Sequence, residues 1–156
     1  MLNQFFQFLR PAILFFAVTA SIFALAENNH NDTSEKSRHP EVIVPEDLPY
    51  EALSLNQIRA IFSMRVRRWP DGSPITVMVL RDQNPIHKNF LKSTLQMLPH
   101  QLRRHWDRYI YSGIGQGPIV VTNQGEMLEK VRQTDGAIGY IEEGVPHEQV
   151  RALAIR

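Results

Sequence analysis

From residue 42 onward the chain alternates between short β-branched runs and stretches in which apolar residues recur at helical spacing, and the two periods predict an α/β order. Val42, Ile43 and Val44, closed by Pro45, predict a first strand or an extended entry. Leu55, Ile58 and Phe62 then share one helical face, and Ser54 with Gln57 supplies a capping box at its start. Pro70, Asp71 and Gly72 provide turn chemistry before Ile75 to Leu80, a continuously apolar strand of the kind covered on both faces. Asn84 and Pro85 open a helix carrying Phe90, Leu91, Leu95 and Leu98, and Pro99 opens a second with Leu102, Trp106 and Tyr109, stopped by Gly113. A short strand follows at Ile119 to Val121, then a helix capped by Asn123 and Glu126 with Met127, Leu128 and Val131 inward. Gly136 suits the left-handed position past that helix, and "AIGYI" re-enters the sheet. Gly139, in mid-strand, predicts a neighbour packed too close for a side chain. Val150 to Ile155 reads as a closing strand. The sum is one α/β domain of three layers, a mostly parallel sheet with helices on both faces.

The two ends of the chain differ from this pattern. In residues 1–26, Arg10 precedes an apolar run from Pro11 to Leu25, broken by Thr19 and Ser21, and "ALA" at Ala24 to Ala26 places small residues for cleavage. These residues predict a secretory signal and a mature chain starting at Glu27. The run is shorter than the roughly 20 residues that span a membrane, although an uncleaved anchor is the alternative. Residues 27–41 begin with "ENNHNDTSEKSRHP", which has no aliphatic side chain to bury and predicts a flexible polar tether. The folded domain is then 42–156.

Composition narrows the function. There is no cysteine, so neither a disulfide framework nor a thiol-linked lipid is available, and stability rests on the core. With Arg10 taken from the 17 basic residues, acidic and basic residues balance, which argues against a nucleic-acid or general polyanion binder. Histidines 30, 39, 87, 100, 105 and 147 are scattered, and His100 and His105 do not share a helical face, so no metal site is expected. No nucleophile motif occurs, and Glu142 and Glu143 point to opposite sides of a strand, so the chain reads as non-enzymatic and without a cofactor. "GIGQG", Gly113 to Gly117, lacks the following Lys-Ser or Lys-Thr of a phosphate loop and reads as a connection. "RVRRW", Arg65 to Trp69, sets Arg65, Arg67 and Arg68 beside Trp69 as a candidate partner surface, against a solvated turn with Trp69 in the core.

"LSLNQIRAIF", then Trp69 and "DG", a strand ending at Arg81, a helix carrying Phe90 and finally "GAIGY" stand in the order of a known family. Over Leu53 to Ile141 the chain resembles the periplasmic phosphate-binding proteins of ABC transporters. The resemblance implies a single lobe of the type 2 periplasmic-binding fold, where the family has two lobes clamped on the anion. In a sheet of this kind the site lies outside the carboxyl ends of the strands, here the loops after Leu80 and Val121. The family follows its arginine with a Ser-Gly-Thr turn; here Arg81 is followed by "DQNPIHKNF", and Pro85 removes an amide donor. Where the family commonly has glycine two places after "IF", this chain has Met64.

Two functions follow as expectations. One is a periplasmic binding protein for phosphate or a similar oxyanion, with Arg81, Asn84 and His87 at the start of a helix as the binding residues. The other is an exported interaction module that has kept the lobe and lost the anion site, binding a periplasmic protein or a second copy of itself.

Overall fold

The computed structural model describes residues 39–113 and 115–156. The expected leader and all but the last residues of the expected tether lie outside the described residues. Among the described residues, seven strands, four α-helices and one π-helical turn follow in chain order. They are β1 (Pro40–Pro45), β2 (Ala52–Leu53), α1 (Leu55–Phe62), β3 (Thr76–Leu80), α2 (Pro85–Asn89), the π turn (Phe90–Leu95), α3 (Pro99–Tyr111), β4 (Ile119–Val121), α4 (Gln124–Gln133), β5 (Ala137–Glu142), β6 (Val150–Ala152) and β7 (Ala154–Ile155).

Five of the strands form one sheet in the order β4-β3-β5-β1-β6. β3 pairs in parallel with both β4 and β5, whereas β1 runs antiparallel to its neighbours β5 and β6. Four strands therefore share one direction and the first strand opposes them, which is the mixed, mostly parallel sheet that the apolar runs imply. The closing segment is split rather than continuous. β6 joins the main sheet, while β7 leaves it to pair with β2. Arg156 then accepts the first amide of α1, Leu55 N–H, at 3.1 Å.

Local chemistry sets the helix starts. Ser54 Oγ accepts from Gln57 N–H at 3.3 Å, and Gln57 Oε1 accepts from Ser54 N–H at 2.8 Å, the reciprocal box that opens α1. Asn84 Oδ1 accepts from Ile86 N–H at 2.9 Å and Pro85 fills the first helical position of α2. At α4, Asn123 Oδ1 accepts from Glu126 N–H at 2.9 Å, but the Glu126 carboxylate reaches Thr122 N–H at 2.8 Å, one residue earlier than a reciprocal box requires. The helix after Pro85 departs from expectation, because it loosens into the π turn at Phe90–Leu95 and ends on Gln96 at φ 52°. Phe90, Leu91 and Leu95 stay buried, and Leu98 is left exposed.

Alternation along β5 sends neighbouring residues to opposite faces of the sheet. Gly139 faces α4, where an added Cβ would lie 2.5 Å from Met127 Sδ and 3.1 Å from a Val131 methyl. The expected close neighbour is thus a helix. Tyr140 faces the other way, its ring stacked on Phe90 at 3.9 Å between centroids and tilted against Phe62 at 5.9 Å. Trp106 of α3 ties into the same layer by donating its indole N–H to Phe62 C=O at 2.8 Å. Helices accordingly cover both faces, and burying each such side chain contributes about 1.5–3 kcal/mol.

Candidate functional site

The carboxyl end of β3 carries the chemistry that the sequence points to. Leu80, the last residue of the strand, is fully buried, and the chain then turns through Arg81 to Asp82 into α2. Asn84 N–H donates to Arg81 C=O at 2.9 Å, closing the turn. Arg81 is exposed, with no ion pair among the described residues. The Asn84 side chain is engaged as the cap of α2.

His87 lies inside rather than at the surface, 1% exposed. Tyr140 Oη accepts from Leu80 N–H at 2.9 Å and sits 2.5 Å from His87 Nδ1. The Asp82 carboxylate on the Nε2 side favours the imidazole proton there, which leaves Nδ1 as the acceptor of the Tyr140 hydroxyl proton. Nε2 faces Asp82 Oδ1 at 3.9 Å, and Asp82 Oδ2 is paired with Arg103 of α3 at 2.5 Å. A polar chain thus runs from the end of β3 through Tyr140, His87 and Asp82 to Arg103.

Burial is the main influence on His87 and pushes its pKa below the ordinary imidazole value; Asp82 acts to raise it and Arg103 to lower it. The ring is therefore neutral at pH 7. Burial likewise drives the Tyr140 phenol well above its usual range, only partly offset by the Leu80 amide, so it acts as a hydroxyl donor throughout the physiological range.

The structure brings Arg81, Asn84 and His87 into one turn but gives them separate surroundings: Arg81 in solvent, Asn84 on the helix, His87 in the core. Asp82, Arg103 and Tyr140 complete the cluster, and none of the three stands among the binding residues expected from the sequence. Two signals were available. A tyrosine within a core strand needs a hydroxyl partner, and a histidine in the first turn of a helix whose next apolar residues face inward is placed to be that partner.

Of the arginine cluster, Arg65, Arg67 and Arg68 are exposed, while Trp69 is 3% exposed and stacked on Tyr50 at 5.2 Å. Its indole N–H donates to Gly136 C=O at 3.1 Å, so the ring braces the turn before β5 and is not offered to a partner. No group of three or more metal-ligating side chains occurs among the described residues, and no helix among them is long and apolar enough to cross a membrane.

No family model matches this sequence and no curated protein matches it. Solved structures do. A putative phosphate ABC transporter substrate-binding protein with bound phosphate from Clostridium perfringens superposes with a TM-score of 0.63 at 19% identity, over 76% of this chain and 45% of that one. An ABC-type phosphate transport receptor from Vibrio cholerae (TM-score 0.58, 15% identity) and PstS from Borrelia burgdorferi (0.58, 16%) match over 76% of this chain, and over 46% and 47% of their own. The chain thus has the fold of these binding proteins and spans less than half of their length, as a single lobe does.

Proposed function

We propose that this chain is an exported, non-enzymatic binding module that keeps one lobe of the phosphate-binding architecture and works through contact with another protein. The observation that carries this reading is the position of Asp82. Its carboxylate sits at the strand-end turn, held by Arg103 at 2.5 Å, in the place where the fold would offer its donors to an external anion. A phosphate approaching that turn meets a fixed like charge, the cap of α2 is already made by Asn84, and Pro85 has no amide to give. The leader-like residues 1–26 support export, with the periplasm as destination, and the module needs no metal or cofactor.

Calorimetric titration of the mature chain, Glu27 to Arg156, with phosphate, sulfate, molybdate and tungstate tests this. No heat and no thermal shift up to millimolar anion is the expected result, and micromolar phosphate binding would overturn it. A second reading, that the lobe still takes an oxyanion, draws on one fact: Arg81 is exposed and without an ion pair among the described residues. Under that reading binding is measurable and Arg81→Ala abolishes it.

A further inference from the structure

On the opposite side of the molecule from Asp82, near the amino ends of β3 and β4, a groove of about 690 Å³ opens between the 64–68 loop, β3, the end of α3 and Ile119. Its rim carries Arg65, Arg67 and Arg68, and no acidic residue lines it among the described residues. These guanidinium groups are positioned, not loose. Arg67 lies over the Tyr109 ring, 5.0 Å from its centroid, with Nη1 donating to Tyr109 Oη at 3.0 Å. Arg68 donates to Gly72 C=O at 2.7 Å and Arg65 to Ser63 Oγ at 3.1 Å. Each contact engages part of a five-donor fork and leaves donors facing outward.

The groove borders a sheet edge. β4 is the outer strand, bonded to β3 on one side, and Ile119 and Val120 are 40% and 51% exposed. Natural edges are usually blunted by a charge or a proline within the strand. Ile119–Val121 contains neither, although Pro118 precedes it.

We propose that this groove and the β4 edge form a docking site for an extended acidic segment of a partner protein. The segment adds its main chain to β4 and sets alternate carboxylates against Arg65, Arg67 and Arg68. The proposal rests on the interaction-module reading and names the chemistry of its partner. Charge complementarity selects this occupant: a basic rim without acidic residues, on a chain whose total charge is close to neutral, attracts acid locally and repels a basic strand.

The test uses the mature chain and a short fluorescent peptide alternating glutamate and valine, followed by polarisation. Binding should weaken in high salt, by about tenfold or more in the Arg67→Glu, Arg68→Glu double variant, and by a similar factor when alternate peptide amides are N-methylated. Methylation blocks strand addition without touching the protein, so the result does not depend on a variant folding. A lysine-valine peptide that binds equally well, or methylation without effect, overturns the strand-docking proposal, as does equal binding of single-stranded DNA, which would indicate a general polyanion surface. Phosphate titration in the same buffer separates the failures. Peptide failure without phosphate binding removes only the groove proposal, and peptide failure with micromolar phosphate binding removes the interaction reading as well.

Discussion

The Tyr140 hydroxyl donates to His87 Nδ1 across 2.5 Å while accepting the Leu80 amide, so one phenol oxygen joins β5, α2 and the end of β3. Among the described residues no other side chain bonds the Leu80 amide or His87 Nδ1. Tyr140→Phe keeps the ring and its stack on Phe90 but leaves the Leu80 N–H and His87 Nδ1 unsatisfied, at an expected cost of about 2–4 kcal/mol. Urea denaturation measures it. A cost below about 1 kcal/mol would mean that water or a ring shift replaces both bonds.

His87 makes stability depend on acid. Its folded pKa lies below the unfolded value of 6.5, so between the two the unfolded chain binds the extra proton and the folded chain does not. The stabilisation is complete above about pH 6.5 and is lost as pH falls below it. Denaturation midpoints taken in steps from pH 7.5 to 5 should fall, and His87→Gln should flatten that slope. Because Arg103 lowers the His87 pKa and Asp82 raises it, Arg103→Ala should move the imidazole titration upward and Asp82→Asn downward, followed by the ring proton signals. Arg103→Ala itself should cost under about 1 kcal/mol, since both members of that ion pair are nearly half exposed.

Gly139 carries a steric prediction. A methyl group there meets Met127 Sδ at 2.5 Å and Val131 at 3.1 Å, both on a helix packed across β5. Met127 can yield by rotation, so Gly139→Ala should cost about 1–3 kcal/mol, and Gly139→Val, whose branch also reaches the Val131 side, distinctly more. Thermal midpoints that fall in the order Gly, Ala, Val support this; equal midpoints for Ala and Val would place α4 farther from the strand.

These three sites show what the sequence makes legible. Caps and turns are local, so Ser54 with Gln57, Asn84 with Pro85 and Gly136 announce their elements from a few neighbouring residues. Gly139 was readable as a close approach because a glycine in mid-strand has few other uses, although the identity of the neighbour was not. The pairing of His87 with Tyr140 spans 53 positions, and no local pattern reports a hydrogen bond across that distance. Leu98 shows the opposite failure. Helical spacing grouped it with Leu91 and Leu95, but the π turn changes the residues per turn, and the left-handed Gln96 then directs the chain outward. The sequence leaves Trp69 open between partner surface and core, and its burial, its stack on Tyr50 and its bond to Gly136 decide for the core.

Met64 follows α1 at the position where the resembled family commonly has glycine, and its φ is 62°. The left-handed conformation brings Cβ against the backbone of any L-residue, at roughly 1–2 kcal/mol, and spares glycine. Met64 persists because its half-buried side chain packs on the core and its N–H donates to Ile61 C=O at 2.8 Å. Removing the side chain loses that packing in Met64→Ala and Met64→Gly alike, whereas only glycine relieves the backbone. The comparison of the two variants therefore isolates the strain. Glycine should be the more stable by about 1 kcal/mol, the reverse of the order expected where φ is negative and glycine only adds unfolded-state entropy. Urea midpoints of both variants measure the difference. Alanine equal to or above glycine would show that the turn relaxes out of the left-handed region once methionine no longer anchors it.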